Sequence, residues 1–138
     1  MDLSIYFEPV QLKGYHFSEK TRRKLMGDVV KAYIEPNDFP SLDHVDLALI
    51  GVGEERNCFF NNGCGLGPDA IRKEFYKLYQ GNFKLRMVDL GNVRQGHSIE
   101  DTYFAVTAIM AELLEHNIVP VILGGSQDIT YAQYKAYE

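Results

Sequence analysis

Three short apolar runs, each closed by glycine, alternate with segments of helical period, and this alternation restricts the folds open to the chain more than any other feature. Val45 to Val52 (VDLALIGV), Leu85 to Leu90 (LRMVDL, followed by Gly91-Asn92) and Val119 to Leu123 (VPVIL, followed by Gly124-Gly125) read as strands buried on both faces. A strand covered by helices on either side needs a nearly continuous apolar run, not an alternating one. Between the runs, Gly67-Pro68 predicts a helix start, because proline suits the first turn and glycine can act as the cap before it. Ile71, Phe75 and Leu78 would form the buried stripe of that helix. Ser98 with Asp101 has the spacing of a capping box, and Ile99, Tyr103, Val106, Met110, Leu113 and Leu114 continue at helical spacing as far as Asn117. Ile129 to Tyr137 begins a last helix with no stop signal. Such alternation builds a parallel sheet joined by right-handed crossovers. The expected fold class is therefore α/β, a three-layer α/β/α arrangement with a mainly parallel sheet. Three strands make a small sheet, so a chain ending at Glu138 within a helical pattern is expected to be part of a larger domain.

Residues 1–44 are expected to form an N-terminal arm with one helix, from about Ser18 to Ile34, and residues 45–138 the α/β domain proper. The arm helix rests on Leu25, Val29 and either Ala32 or Tyr33, and Gly27 weakens it. At 138 residues the chain is one domain by length, and 46% apolar with 24% charged residues is a globular balance. No apolar stretch approaches the roughly 20 residues that cross a bilayer, so no membrane partner is expected. A net charge of −5 opposes nucleic-acid binding, which draws on Lys and Arg displacing counterions. The basic cluster Lys20, Arg22, Arg23 and Lys24 is expected to be a solvated helix face. The amino terminus MDLSIY lacks the basic and apolar regions of a secretory signal, which predicts a cytoplasmic address.

Several motifs invite chemistry. Gly51-Val52-Gly53 follows a strand, as a dinucleotide site would require, but Arg56 holds the third small-residue position and the next helix waits until Pro68. Cys58 and Cys64 match neither a redox pair nor a zinc knuckle by spacing, so free loop thiols are expected; a disulfide or sensor role would need proximity and an electropositive setting. Gly124-Gly125-Ser126-Gln127-Asp128 has the strand-to-helix setting of a nucleophile elbow with Ser126 as the nucleophile. Asp128 replaces the glycine that closes such a turn, and no acid and histidine follow to complete a triad. Ser126 or Asp128 capping the last helix explains the pattern better, because both residue types strongly favour that position. His16, His44, His97 and His116 have no paired ligand spacing, although His97 falls in the loop after Asp89-Leu90, at the expected active edge.

Three segments in order resemble the ureohydrolases, the superfamily of arginase, agmatinase and formimidoylglutamase. Gly63 to Arg72 (GCGLGPDAIR) is similar to the G-x-x-x-G-P-x-A-I-R segment of that family, Asp89 to Val93 (DLGNV) to D-L-G-D-V, and Pro120 to Thr130 (PVILGGSQDIT) to P-V-x-L-G-G-D-H-S-I-T. The resemblance covers about Val45 to Tyr131 and implies the amino-terminal portion of an arginase-like fold. It implies a C–N hydrolase acting on a small linear amidine, with formimidoylglutamase-like chemistry, in a homo-oligomer whose two manganese ions activate a water. It further implies that the loop Asn57 to Gly67 and the segment Gly124 to Asp128 shape the substrate crevice, with Asn57, Asn61, Asn62, Gly124, Gly125 and Ser126 as candidates. The family's first histidine ligand falls on Gln127, whose neutral amide offers one weakly donating oxygen, while Asp128 could swing into the role that Gln127 vacates. The later D-x-H-x-D and D-x-D-x-x-D ligand segments have no counterpart before Glu138. No complete metal site and no activity are expected of this chain alone. The alternatives are a non-catalytic relative serving assembly or small-ligand binding, and a serine hydrolase using Ser126.

Overall fold

A computed structural model describes residues 1–12 and 25–138. The elements in chain order are β1 (Phe7–Glu8), α1 (Met26–Val29), β2 (Lys31–Ala32), β3 (Leu47–Gly51), α2 (Gly67–Phe75), β4 (Met87–Val93), α3 (Ile99–Glu115), β5 (Val119–Leu123) and α4 (Ile129–Lys135). The three long strands lie parallel in the order β4-β3-β5, with Leu47 opposite Met87 on one side and Val119 on the other. The outer side of β4 takes two short partners. β2 runs parallel beside Val88 and Asp89, and β1 runs antiparallel beside Asn92 and Val93.

Strand alternation sorts the apolar residues into two layers. Ala48, Ile50, Val88 and Leu90 face α3 and α4, packing with Val106, Ile109, Met110, Leu113, Ile129 and Ala132. Leu49 and Met87 face the other way, with Tyr76, Val30 and the half-buried Leu47, Phe75 and Val121. Ile109 and Leu113 are wholly buried, and each contributes roughly 1.5–3 kcal/mol of hydrophobic stabilisation at that depth. The arrangement is the expected three-layer one around a mainly parallel sheet.

Helix α3 starts where its capping box requires. Ser98 Oγ accepts the Asp101 N–H at 3.2 Å, and the Asp101 carboxylate accepts the Ser98 N–H at 2.8 Å. It ends in a Schellman turn: Asn117 is left-handed (φ 58°), with Ile118 N–H bonded to Leu113 O and Asn117 N–H to Leu114 O. Among the described residues no helix is long and apolar enough to cross a membrane.

Three local expectations are corrected. The helix at Gly67-Pro68 forms, but Gly67 is its first residue and Leu66 precedes it without a side-chain cap. Its buried side is Pro68, Arg72 and Tyr76, while Ile71 and Leu78 are exposed by 46% and 56%. The cause lies on β4: the residue facing α2 at mid-strand is the buried Asp89, so α2 must turn donors toward it. The arm helix from Ser18 to Ile34 begins outside the described residues, as does the basic cluster. From Leu25 onward only the single turn Met26–Val29 is helical, and Lys31–Ala32 joins the sheet. Gly27 and the β-branched pair Val29-Val30 disfavour further helix, and the open side of β4 offers backbone partners in exchange.

Candidate functional site at the carboxyl ends of the strands

The loops that follow β3, β4 and β5 meet at one end of the sheet, and a buried acid ties them together. Glu54, three residues beyond β3, has no exposed surface. Its carboxylate accepts the backbone N–H groups of Glu55 and Arg56 at 3.1 and 3.0 Å, and the Arg56 guanidinium at 2.9 Å from Nε and 2.5 Å from Nη2. Hydrogen bonding and charge from Arg56 outweigh burial and hold the Glu54 carboxyl at about 2, below its ordinary 4.5. The same guanidinium donates to His97 O, Ser98 O and Thr102 Oγ1 at 3.0, 3.2 and 3.2 Å, which fastens the β3 loop to the start of α3.

Glu54 also fixes the turn after β5. Its carbonyl accepts both the Ser126 N–H at 2.8 Å and the Ser126 hydroxyl at 3.1 Å. The backbones approach so closely that a Cβ at Gly125 would collide with the Glu54 carbonyl, so the second glycine of the pair is a steric requirement.

Beside this turn, the Tyr103 hydroxyl donates to Asp128 Oδ2 and accepts from Asn57 Nδ2 at 3.1 Å. Burial opposes ionisation of Asp128, but its hydrogen bonding, with Tyr103 on Oδ2, prevails and holds its carboxyl below the usual range. The other oxygen, Oδ1, is buried without a hydrogen-bond partner. A cavity of about 420 Å³ opens here, walled by residues 57–61 on one side and 126–128 on the other.

The structure thus gathers Asn57, Asn61, Ser126, Gln127 and Asp128 at one cavity. Gly124 and Gly125 form the turn leading into it, and Asn62 is exposed outside its wall. Neither residue suggested as a cap for α4 acts as one. Asp128 occupies the N-cap position with helical backbone angles and no capping bond, because Tyr103 has claimed its carboxylate, and Ser126 gives its hydroxyl to Glu54. His97 contributes its carbonyl to Arg56, His116 closes α3 through its ring and the Glu112 carbonyl, and His16 lies outside the described residues. Sequence reasoning passed over Glu54, Thr102 and Tyr103. Tyr103 looked like one more residue of a helix stripe, and an acid and a base two residues apart in a loop carry no pattern of their own.

The described residues do not fit a two-manganese centre by themselves. Among the described residues no three His, Cys, Asp or Glu side chains converge on a common point. Gln127 is exposed, and Asp128 supplies the lone carboxylate of the cavity wall. A cation of this hardness requires several oxygen or imidazole donors.

A second polar cluster lies under the floor between α2 and β4. Arg72 and Asp89 are both wholly buried and paired twice, Nε to Oδ2 and Nη2 to Oδ1, each at 2.8 Å. Tyr76 OH donates to Asp89 at 2.5 Å, and Arg72 reaches the Gly91 carbonyl, Asn92 Oδ1 and Asp69. Arg72 and Asp69 belong to the GPDAIR segment, and Asp89 and Asn92 to DLGNV, so two of the three resembling segments are bonded to each other.

The arginase family model matches residues 45–138, which holds the whole α/β portion and all three segments. The chain belongs to the arginase family. Among curated members, this arginase-family chain is 31% identical over 98 residues to formimidoylglutamase of Staphylococcus epidermidis, covering 68% of the chain and 32% of that protein. Formimidoylglutamase of Staphylococcus aureus is 31% identical over 107 residues, covering 75% of the chain and 33% of that protein. The chain therefore spans about a third of the length of the curated relatives it matches. Among solved structures, formimidoylglutamase from Bacillus subtilis superposes with a TM-score of 0.72 at 23% identity over 91% of this chain and 41% of that one. A hypothetical agmatinase from Burkholderia thailandensis superposes with a TM-score of 0.62 at 26% identity over 70% of this chain and 34% of that one.

Proposed function

We propose that this chain is the amino-terminal portion of a formimidoylglutamase-like hydrolase that cleaves a C–N bond of a small linear amidine, and that it is inactive alone. The observation that carries this reading is the family match over residues 45–138, together with a cavity at the strand ends walled by residues 57–61 and 126–128. Asn57 and Asn61 contribute one side of the substrate crevice and Gly124, Gly125 and Ser126 the other, with Asn62 at its rim. The described parts of residues 1–44 act as an arm along the outer side of β4. The whole enzyme is a cytoplasmic homo-oligomer, and any manganese it uses needs ligands beyond Asp128, the one carboxylate of the cavity wall.

A second reading is favoured by Gln127. With an exposed amide at the family's histidine position and a single carboxylate nearby, the chain suits a non-catalytic relative that keeps the fold for assembly or ligand binding. A chimera separates the two. Residues 45–138 replace the matching third of the Staphylococcus epidermidis enzyme, with Gln127 retained or changed to His, and formamide release from formiminoglutamate is measured with manganese present. Activity with Gln127 retained supports the enzyme reading. Activity only after Gln127→His supports the non-catalytic one. A folded chimera inactive in both forms sinks the amidine-hydrolase assignment. The serine-hydrolase alternative predicts labelling of Ser126 by a fluorophosphonate probe. The Ser126 hydroxyl, 6% exposed and donating to a carbonyl, opposes it.

A further inference from the structure

The loop that walls the cavity holds the chain's only two cysteines. Cys58 and Cys64 are both free and half-buried. Backbone bonds draw them together around one residue: the Asn61 N–H points at Cys58 Sγ at 3.2 Å, and the Cys64 N–H bonds to the Asn61 carbonyl at 3.2 Å. The loop is closed further by Cys58 N–H on Glu55 O at 2.9 Å and Gly65 N–H on the Glu55 carboxylate at 3.0 Å, and Gly63 supplies the left-handed step at φ 86° that turns the chain back. These turns bring the Cys58 sulfur close enough to Cys64 to act on its ionisation, a proximity that residue spacing alone left open.

We propose that Cys58 and Cys64 form a reversible disulfide by exchange with a low-molecular-weight disulfide such as oxidised glutathione, and that this bond clips the loop carrying Phe59, Phe60 and Asn61 at the cavity mouth. The Cys58 sulfur, which receives the Asn61 N–H, attacks one sulfur of the small disulfide and expels one small thiolate. The Cys64 thiol gives up its proton and attacks the Cys58 sulfur of the mixed disulfide, expelling the second thiolate. Two protein thiols lose two electrons and two protons, and the small disulfide gains them as two thiols. Burial, the Cys58 sulfur and the Glu55 carboxylate push the Cys64 thiol up, so the second step is the slow one at neutral pH and accelerates as pH rises. The same features make Cys64 a poor leaving group when a reductant attacks Cys58, which protects the closed bond.

The consequence for the cavity is direct. Phe59 and Phe60 are exposed by 84% and 102% although they line the cavity on one side. They project from a loop held by hydrogen bonds alone, and a covalent link between its ends removes open conformations from that loop. The oxidised chain should therefore keep the cavity wall in one shape and the reduced chain should let it open.

The test uses the whole chain equilibrated in glutathione buffers of varied ratio, with alkylation of free thiols and peptide mass analysis. The expected result is one peptide bridging Cys58 and Cys64, lighter by two hydrogens, with an exchange constant about tenfold or more above that of the same chain in guanidinium. An equal constant in denaturant, or glutathione remaining on both sulfurs, overturns the proposal, because either means that the fold does not bring the thiols together. Cys64→Ser should trap glutathione on Cys58, and no adduct there overturns Cys58 as the entry point. Amide hydrogen exchange across residues 58–65 should slow on oxidation, and unchanged rates overturn the clip.

Discussion

The polar cluster under the sheet floor and the one at its mouth use similar groups to opposite ends. Between α2 and β4, Arg72, Asp89, Tyr76, Asn92 and the Gly91 carbonyl form a closed set in which both charges are fully buried and each guanidinium nitrogen has a partner. A buried ion pair contributes little net stability unless its remaining donors and acceptors are satisfied, and here they are. At the mouth, Asp128 has one oxygen bonded to Tyr103 and the other buried without a partner, and Gln127 beside it faces solvent. The contrast separates holding a fold from completing a site. The first cluster needs nothing from outside the described residues, whereas the second is left with acceptor capacity unused. Glu54 stands between the two cases, since its carboxylate is saturated by Arg56 while its carbonyl anchors the Ser126 turn.

The sharpest way to break this contrast is Arg72→Ala. It leaves Asp89 charged and buried, and the expected loss is about 3–5 kcal/mol in urea unfolding. Adding Asp89→Leu to Arg72→Met should recover most of that loss, because no orphaned charge remains. A loss below about 1 kcal/mol for Arg72→Ala would mean that water reaches Asp89 and that the floor is not closed.

A smaller effect is expected at the junction. Glu54→Gln should cost about 1–3 kcal/mol at pH 7 by breaking the bond to Arg56. Its signature is in the pH dependence. Glu54 is held at about 2 in the folded chain against an ordinary 4.5, so its contribution is complete above 4.5 and is lost as pH falls from 4.5 toward 2, where the unfolded chain takes the proton first. Unfolding curves collected across that window should be flatter for Glu54→Gln than for the wild type. Some slope will persist from Asp46, which Arg86 likewise holds at about 2. Equal slopes in the two proteins would refute the clamp.

The smallest effect sharpens the reading of α2. Ile71→Gln should change stability by no more than about 0.5 kcal/mol, because Ile71 sits on the solvent side of the helix whose other side carries Arg72 and Tyr76. A loss of 2 kcal/mol or more, the range for emptying a core position, would restore the apolar stripe as the buried face.

The amino-acid order by itself determined what depends on neighbours within a turn or two. The three strands, the Ser98–Asp101 capping box, the span of α3 and the bounds of β5 at Val119–Leu123 were all legible as local periodicity, and so was the α/β class they compose. The resembling segments were legible too, and with them the family. Tertiary structure alone decided which side of α2 is buried, where the arm leaves helix for sheet, and which polar groups meet. Arg72 finds Asp89 across 17 positions, Asp128 finds Tyr103 across 25, and Arg56 finds Thr102 across 46. Backbone preference and side-chain periodicity act over a few residues, whereas these partnerships follow from strand register and crossover packing, which are settled only when whole faces are buried together.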